Sequence, residues 1–118
     1  MDIKAIQERL TTFSEERDWD QFQSPKNLCM GLICEAAELL ELFQWLTEQQ
    51  SKEIVNSEKQ MALVREEIAD VFLFLVRLAD KLDVDIEKAA LEKMQINALK
   101  YPVSLAKGNI EKYNRRNR

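Results

Sequence analysis

Residues 34–43 read CEAAELLELF. Glu35, Glu38 and Glu41 recur at every third position of a run whose other members are apolar or small. Side chains three apart on a helix sit on neighbouring turns of one face, with Cβ atoms about 5–6 Å apart. A run this apolar belongs in an interior, where carboxylates need a counter-charge. The same spacing returns in REEIADVFLFLV, residues 65–76, where Glu67 and Asp70 precede a second apolar stretch. Two long helices, each with an acidic pair set into an apolar sequence, are the starting point for the fold.

The rest of the chain agrees with helices. It has 118 residues, enough for one domain and one core. Hydrophobic residues make up 46% and charged residues 32%, as in soluble globular proteins, and two Gly and two Pro leave few turns for a sheet. A first helix is predicted over residues 2–16, with Ile3, Ile6, Leu10 and Phe13 on one face. RDWDQFQS, residues 17–24, breaks that pattern and reads as a loop. Ser24-Pro25 then supplies an N-cap and a first-turn proline for a second helix, from Pro25 to about Leu46, with Leu28, Leu32, Leu39 and Phe43 as its core stripe. Residues 48–56 are polar and read as a loop or short helix. A third helix is predicted from Ser57 to Leu82. It is apolar nearly all round from Ile68 to Leu78, the pattern of a central helix or of one in a subunit interface. Asp85 caps a fourth helix from Ile86 to about Leu99, and Tyr101-Pro102 ends it. Residues 101–118 are expected to be a mainly irregular tail of a single domain, 1–118. The expected architecture is an all-α bundle of four main helices.

Composition excludes several functions. A net charge of −4 argues against non-specific nucleic-acid binding, and the basic ending KYNRRNR is short. Val71–Val76 is far too short to span a bilayer, and MDIKAIQERL lacks a signal-peptide layout. Cys29 and Cys34, five apart on one helix, point to different faces and read as small core residues of a reduced, cytoplasmic protein. The count of histidines is 0, which removes the commonest general base and the commonest transition-metal ligand.

Carboxylates must therefore carry any chemistry. Glu35 with Glu38, and Glu67 with Asp70, would concentrate four negative charges between facing helices, a strongly unfavourable arrangement without a cation. Oxygen-only ligands suit hard ions, Mg²⁺ first and Mn²⁺ next, whereas a di-iron site would want histidine. Either pair alone is more often surface charge; two pairs embedded in apolar helices change that balance. Clustered carboxylates with Mg²⁺ handle phosphate, and a carboxylate outside the ligand set, or bridging, can take a proton from attacking water. Lys93, Asn97 and Lys100 share a face of the fourth helix, with Tyr101 next to them; they are candidate phosphate and sugar ligands, set against a plain solvated lysine face. Trp19 and Trp45 are candidate surfaces for a nucleobase, set against simple capping of the core.

At this point a resemblance becomes visible. EAAE followed by EIAD is similar to the paired carboxylate signature of the MazG-like all-α nucleoside triphosphate pyrophosphohydrolases. RDWDQFQSPKNL, ELFQW, EEIADVFLFLV and KMQINALKYPVSLAKGNIEKY resemble the branch containing the dCTP pyrophosphatases, over about Phe13 to Tyr113. The resemblance implies hydrolysis between the α- and β-phosphates of a (deoxy)nucleoside triphosphate, to a monophosphate and pyrophosphate, as house-cleaning of the nucleotide pool. It implies Mg²⁺ at Glu35, Glu38, Glu67 and Asp70, the base near Trp19 and Trp45, and phosphates and sugar near Lys93, Asn97, Lys100 and Tyr101. Glu38 is the choice for orienting or deprotonating water. It also implies a homodimer or a homotetramer. Where animal members of that branch carry His and Tyr near base and sugar, this chain has Leu10 and Phe74, which implies a looser base preference than dCTP alone, with dATP included. The competing readings are a non-catalytic helical oligomerisation module and a superfamily member acting on dUTP or phosphoribosyl-ATP.

Overall fold

Each long helix begins where a side chain can accept one of the backbone N–H groups that a helix start leaves unpaired. Asp2 accepts from Ala5, Ser24 from Asn27, Ser57 from Gln60 and Asp85 from Lys88, at 3.0–3.3 Å. These caps open α1 (Ile3–Glu16), α2 (Pro25–Glu41), α4 (Glu58–Lys81) and α5 (Ile86–Lys100). Two shorter helices intervene or follow, α3 (Glu48–Glu53) and α6 (Val103–Ala106). The structure, a computed structural model, describes residues 1–115 and is helical without strands among them. The last three positions of the basic ending lie outside the described residues.

The four main helices expected from the sequence all form, with two departures. The second helix ends at Glu41 rather than near Leu46. Its last amides turn to carbonyls three residues back, Phe43 to Leu40 and Leu46 to Phe43, both 2.9 Å. Thr47 then starts α3 with a capping box, its hydroxyl accepting from Gln50 N–H at 3.1 Å while the Gln50 side chain accepts from Thr47 N–H at 2.9 Å. The T-x-x-Q pattern was present in the sequence and marks that stop. The tail, expected to be mainly irregular, contains the short helix α6 and a 3-10 turn at Tyr113–Arg115.

The chain divides into two units, Met1–Val84 and a second beginning at Asp85. In the first, α4 packs chiefly against α2 and also against α1. The buried hydrophobic side chains among the described residues are Leu28, Val64, Val76 and Ala79. This is a small interior. On α4, Ile68 (53%) and Leu75 (39%) remain exposed, so its apolar surround is only partly covered by its own chain, and Ile33 of α2 is exposed as well. Cys29 and Cys34, expected in the core, are exposed free thiols: α2 turns its Leu28 face, not its cysteines, toward α4.

Candidate active site

Two helix ends set the geometry. After α1 the chain reverses through Asp18, whose φ of 53° lies in the left-handed region that Asp tolerates better than most residues. Trp19 N–H reaches Ser14 C=O at 2.9 Å and Asp18 N–H reaches Glu15 C=O at 3.1 Å, the two bonds of a Schellman ending. The apolar contact that accompanies this motif is Trp19 edge-on to Phe13, centroids 5.7 Å apart. The backbone ending therefore places the indole. Asp83, φ 54°, ends α4 in the same way.

Between α2 and α4, carboxylate oxygens of Glu35, Glu38 and Glu67 lie within 4.8 Å of one another. Glu35 and Glu67 are half-buried and Glu38 is exposed. Asp70 stands one turn beyond Glu67, outside that trio, and its charge still acts on both Glu35 and Glu67. Glu35 is pushed up to about 7, first by burial and then by a shared hydrogen bond and repulsion from Glu38. Glu67 is raised too, again by burial first and Glu38 next. One oxygen each of Glu35 and Glu67 is buried with no hydrogen-bond partner. Buried polar atoms are nearly always satisfied, so two orphaned oxygens in one acidic cluster fit a hard cation. The all-oxygen donor set fits Mg²⁺ or Mn²⁺.

Asp70 also lines a groove of about 580 Å³ formed by α1, the 17–24 segment, α2 and α4. Its walls are largely apolar, with Leu10, Phe13, Leu73 and Phe74 beside the Trp19 indole. Phe74 can lie there because α2 has Gly31 opposite it: a Cβ at Gly31 would stand 2.3 Å from the Phe74 Cε1. Four positions singled out in the sequence thus meet in one groove: Trp19, Asp70, Leu10 and Phe74.

Trp45 is 87% exposed on the turn after α2 and is not among the groove's lining residues. Lys93, Asn97, Lys100 and Tyr101 belong to the second unit. There the Lys100 ammonium lies 4.8 Å from the centre of the Tyr113 ring, and Tyr101 accepts from Tyr113 N–H at 3.3 Å. Glu41 is exposed at the last position of α2.

Sequence reading passed over Arg77. Arg77 lines the groove and is 6% exposed, and its guanidinium donates to Gln23, Thr11 and Asp20 at 2.9–3.0 Å. The signal was available: an arginine in VFLFLVRLA needs partners if it is buried. Asp20, gripped by Lys81 and Arg77, is held below the ordinary carboxylate value, chiefly by its hydrogen bond from Lys81.

The family model of the MazG-like family matches residues 33–115, a span that includes both carboxylate pairs. The chain belongs to the MazG-like family. This MazG-like chain is 44% identical over 111 residues to the Homo sapiens protein named dCTP pyrophosphatase 1. It is 42% identical over 111 residues to the Rattus norvegicus protein of the same name. Both matches cover 94% of this chain, which spans about 65% of the length of these relatives. A solved structure of a pyrophosphatase from Archaeoglobus fulgidus matches with a TM-score of 0.79 and 35% identity, covering 86% of this chain and 94% of that one. The all-α MazG-like fold expected from the carboxylate signature is therefore the observed one. Among the described residues, no helix is long and apolar enough to cross a membrane.

Proposed function

We propose that this MazG-like chain is a Mg²⁺-dependent nucleoside triphosphate pyrophosphohydrolase. It would cleave between the α- and β-phosphates of dCTP and other deoxynucleoside triphosphates such as dATP, releasing a monophosphate and pyrophosphate. The observation that carries this reading is the acidic cluster with two orphaned buried oxygens, one helical turn from Asp70, which lines an apolar groove with the Trp19 indole. Relatives named dCTP pyrophosphatase 1 support the same substrate class.

Glu35, Glu67 and Asp70, with Glu38, are the residues that would hold the ion. Bound there, Mg²⁺ supplies charge neutralisation at phosphate oxygens and acidifies water. Glu38, the exposed member of the trio, is the carboxylate assigned to orient the attacking water and take its proton. Trp19 offers a base a flat surface in the groove, and Leu10 and Phe74, being apolar, offer a base edge no hydrogen-bond donor of their own. That apolar lining is the basis for a preference wider than one base. Trp45 is proposed as a further aromatic contact, and Lys93, Asn97, Lys100 and Tyr101 as phosphate and sugar ligands, on donor chemistry alone.

The exposed apolar residues of α2 and α4 support a homodimer or homotetramer, since the small interior leaves much apolar surface to be covered. Two free thiols support a reducing, cytoplasmic setting. The decisive experiment is a panel of nucleoside triphosphates with and without Mg²⁺. Pyrophosphate released only with Mg²⁺ is expected; release of single phosphate, or no turnover of any nucleotide, would defeat the reading.

A further inference from the structure

We infer that Gln23, held by Arg77, is the residue with which this groove reads the edge of a base, as a hydrogen-bond donor. The inference rests on the nucleotide reading above and deepens it.

Each nitrogen of the buried guanidinium donates within the protein. Its Nε donates to Gln23 Oε1 at 3.0 Å, Nη1 to Thr11 Oγ1 at 3.0 Å and Nη2 to Asp20 Oδ1 at 2.9 Å. Asp80 adds a second carboxylate, 3.7 Å from Nη1. Asp20, which is shared with Lys81, and Asp80 both lie against the guanidinium, so Arg77 is committed within the protein although it lines the groove. What it does is orient its neighbour. An arginine N–H can be accepted only by the oxygen end of a carboxamide, never by its NH₂. The contact therefore decides which way round the Gln23 amide stands. Its NH₂ has no partner among the described residues, and Gln23 lines the groove with Trp19. The end left for a ligand is a donor.

A donor beside an indole, among apolar walls, suits a base that stacks on Trp19 and turns a ring nitrogen or carbonyl oxygen toward Gln23. Arg77 acts through Gln23 and is a positioning residue. Thr11, Asp20 and Asp80 hold Arg77 from α1, the 17–24 segment and α4, so the donor is fixed before a ligand arrives and little ordering is left to binding.

The test is the four common deoxynucleoside triphosphates, with KM and kcat measured separately for wild type, Gln23→Glu and Arg77→Leu. Gln23→Glu keeps an oxygen for Arg77, so its thermal midpoint is expected to hold, but it puts a second acceptor where the NH₂ stood. KM for the preferred base should rise about five- to tenfold or more, the worth of one hydrogen bond, while kcat moves less. Arg77→Leu frees the amide to turn and should narrow the spread of KM among the four bases. Unchanged KM values in Gln23→Glu, or an equal rise for all four bases, would overturn the inference. If wild type releases no pyrophosphate from any of them, the enzymatic reading fails instead. The base preference is then read by tryptophan fluorescence with the four deoxynucleoside monophosphates, where loss of discrimination in Gln23→Glu supports the inference and unchanged discrimination overturns it.

Discussion

Helix α4 carries charge toward the interior at two places, and they are built in opposite ways. At Glu67 and Asp70 it meets Glu35 and Glu38, like charges facing one another, with two buried oxygens that find no protein partner and the carboxyl groups of Glu35 and Glu67 pushed toward the neutral form. Ten positions on, Arg77 is more deeply buried than any of these acids, and its three nitrogens each find a partner. The second arrangement is complete as it stands and reads as structure. The first leaves buried oxygens unsatisfied, which marks it as a candidate site rather than scaffold.

Changing the acids should have the largest effect. Glu35→Gln, Glu67→Gln and Asp70→Asn together are expected to reduce Mg²⁺-dependent turnover about a hundredfold or more. They should also raise the thermal midpoint of the metal-free protein, because they remove repulsion. A lowered midpoint would mean that the cluster is self-sufficient and would erase the contrast with Arg77. For Glu38→Gln alone, near-normal turnover at saturating Mg²⁺ would remove it from the proton-taking role.

The pH response should separate the two places next. Glu35 stands near 7 in the folded chain against an ordinary 4.5, so the folded, metal-free protein holds a proton that the unfolded chain gives up. That contribution is complete below about 4.5 and is lost as pH rises through about 7. Metal-stripped protein should therefore melt at lower temperature at about pH 8 than at about pH 5.5, and Mg²⁺ should restore more at the higher pH. Asp20 is shifted the other way, so the Arg77 end should weaken only in acid, as pH falls below the ordinary carboxylate range. Melting curves across pH, with and without Mg²⁺, check both signs.

Smaller changes sharpen the picture. Arg77→Leu should cost about 1–3 kcal/mol in denaturant unfolding, since it removes charge-assisted bonds and leaves Thr11 and Gln23 without their donor. Asp18→Val should cost about 1–2 kcal/mol, because a branched side chain resists the left-handed turn that delivers Trp19, whereas Asp18→Gly should be close to neutral. Glu41→Gln should change stability by less than about 0.5 kcal/mol and leave turnover near wild type, as befits an exposed helix-end charge. A large loss of turnover there would enlarge the site.

Much of this was legible in one dimension. Helix starts at Ser24, Ser57 and Asp85 follow from local cap chemistry, and the pairing of Glu35 with Glu38 and Glu67 with Asp70 follows from the helical repeat. The early end of α2 was equally local, in the Thr47 capping box, and was missed because the apolar run of ELFQW continues past it. Residue type singles out Trp45, which is exposed after α2, whereas Arg77 is told only by its setting in an apolar run, and it lines the groove.

By itself, the sequence determined the helices, the two acidic pairs and the absence of histidine, which keeps imidazole out of any metal site. These depend on residue type and on spacing along a single helix. Tertiary structure alone decided that Glu35, Glu38 and Glu67 converge, that Leu10, Trp19 and Phe74 share a groove with Asp70, and that Arg77 turns the amide of Gln23. Those facts depend on distances between helices and on which atoms water is kept from, quantities that no spacing within one helix contains.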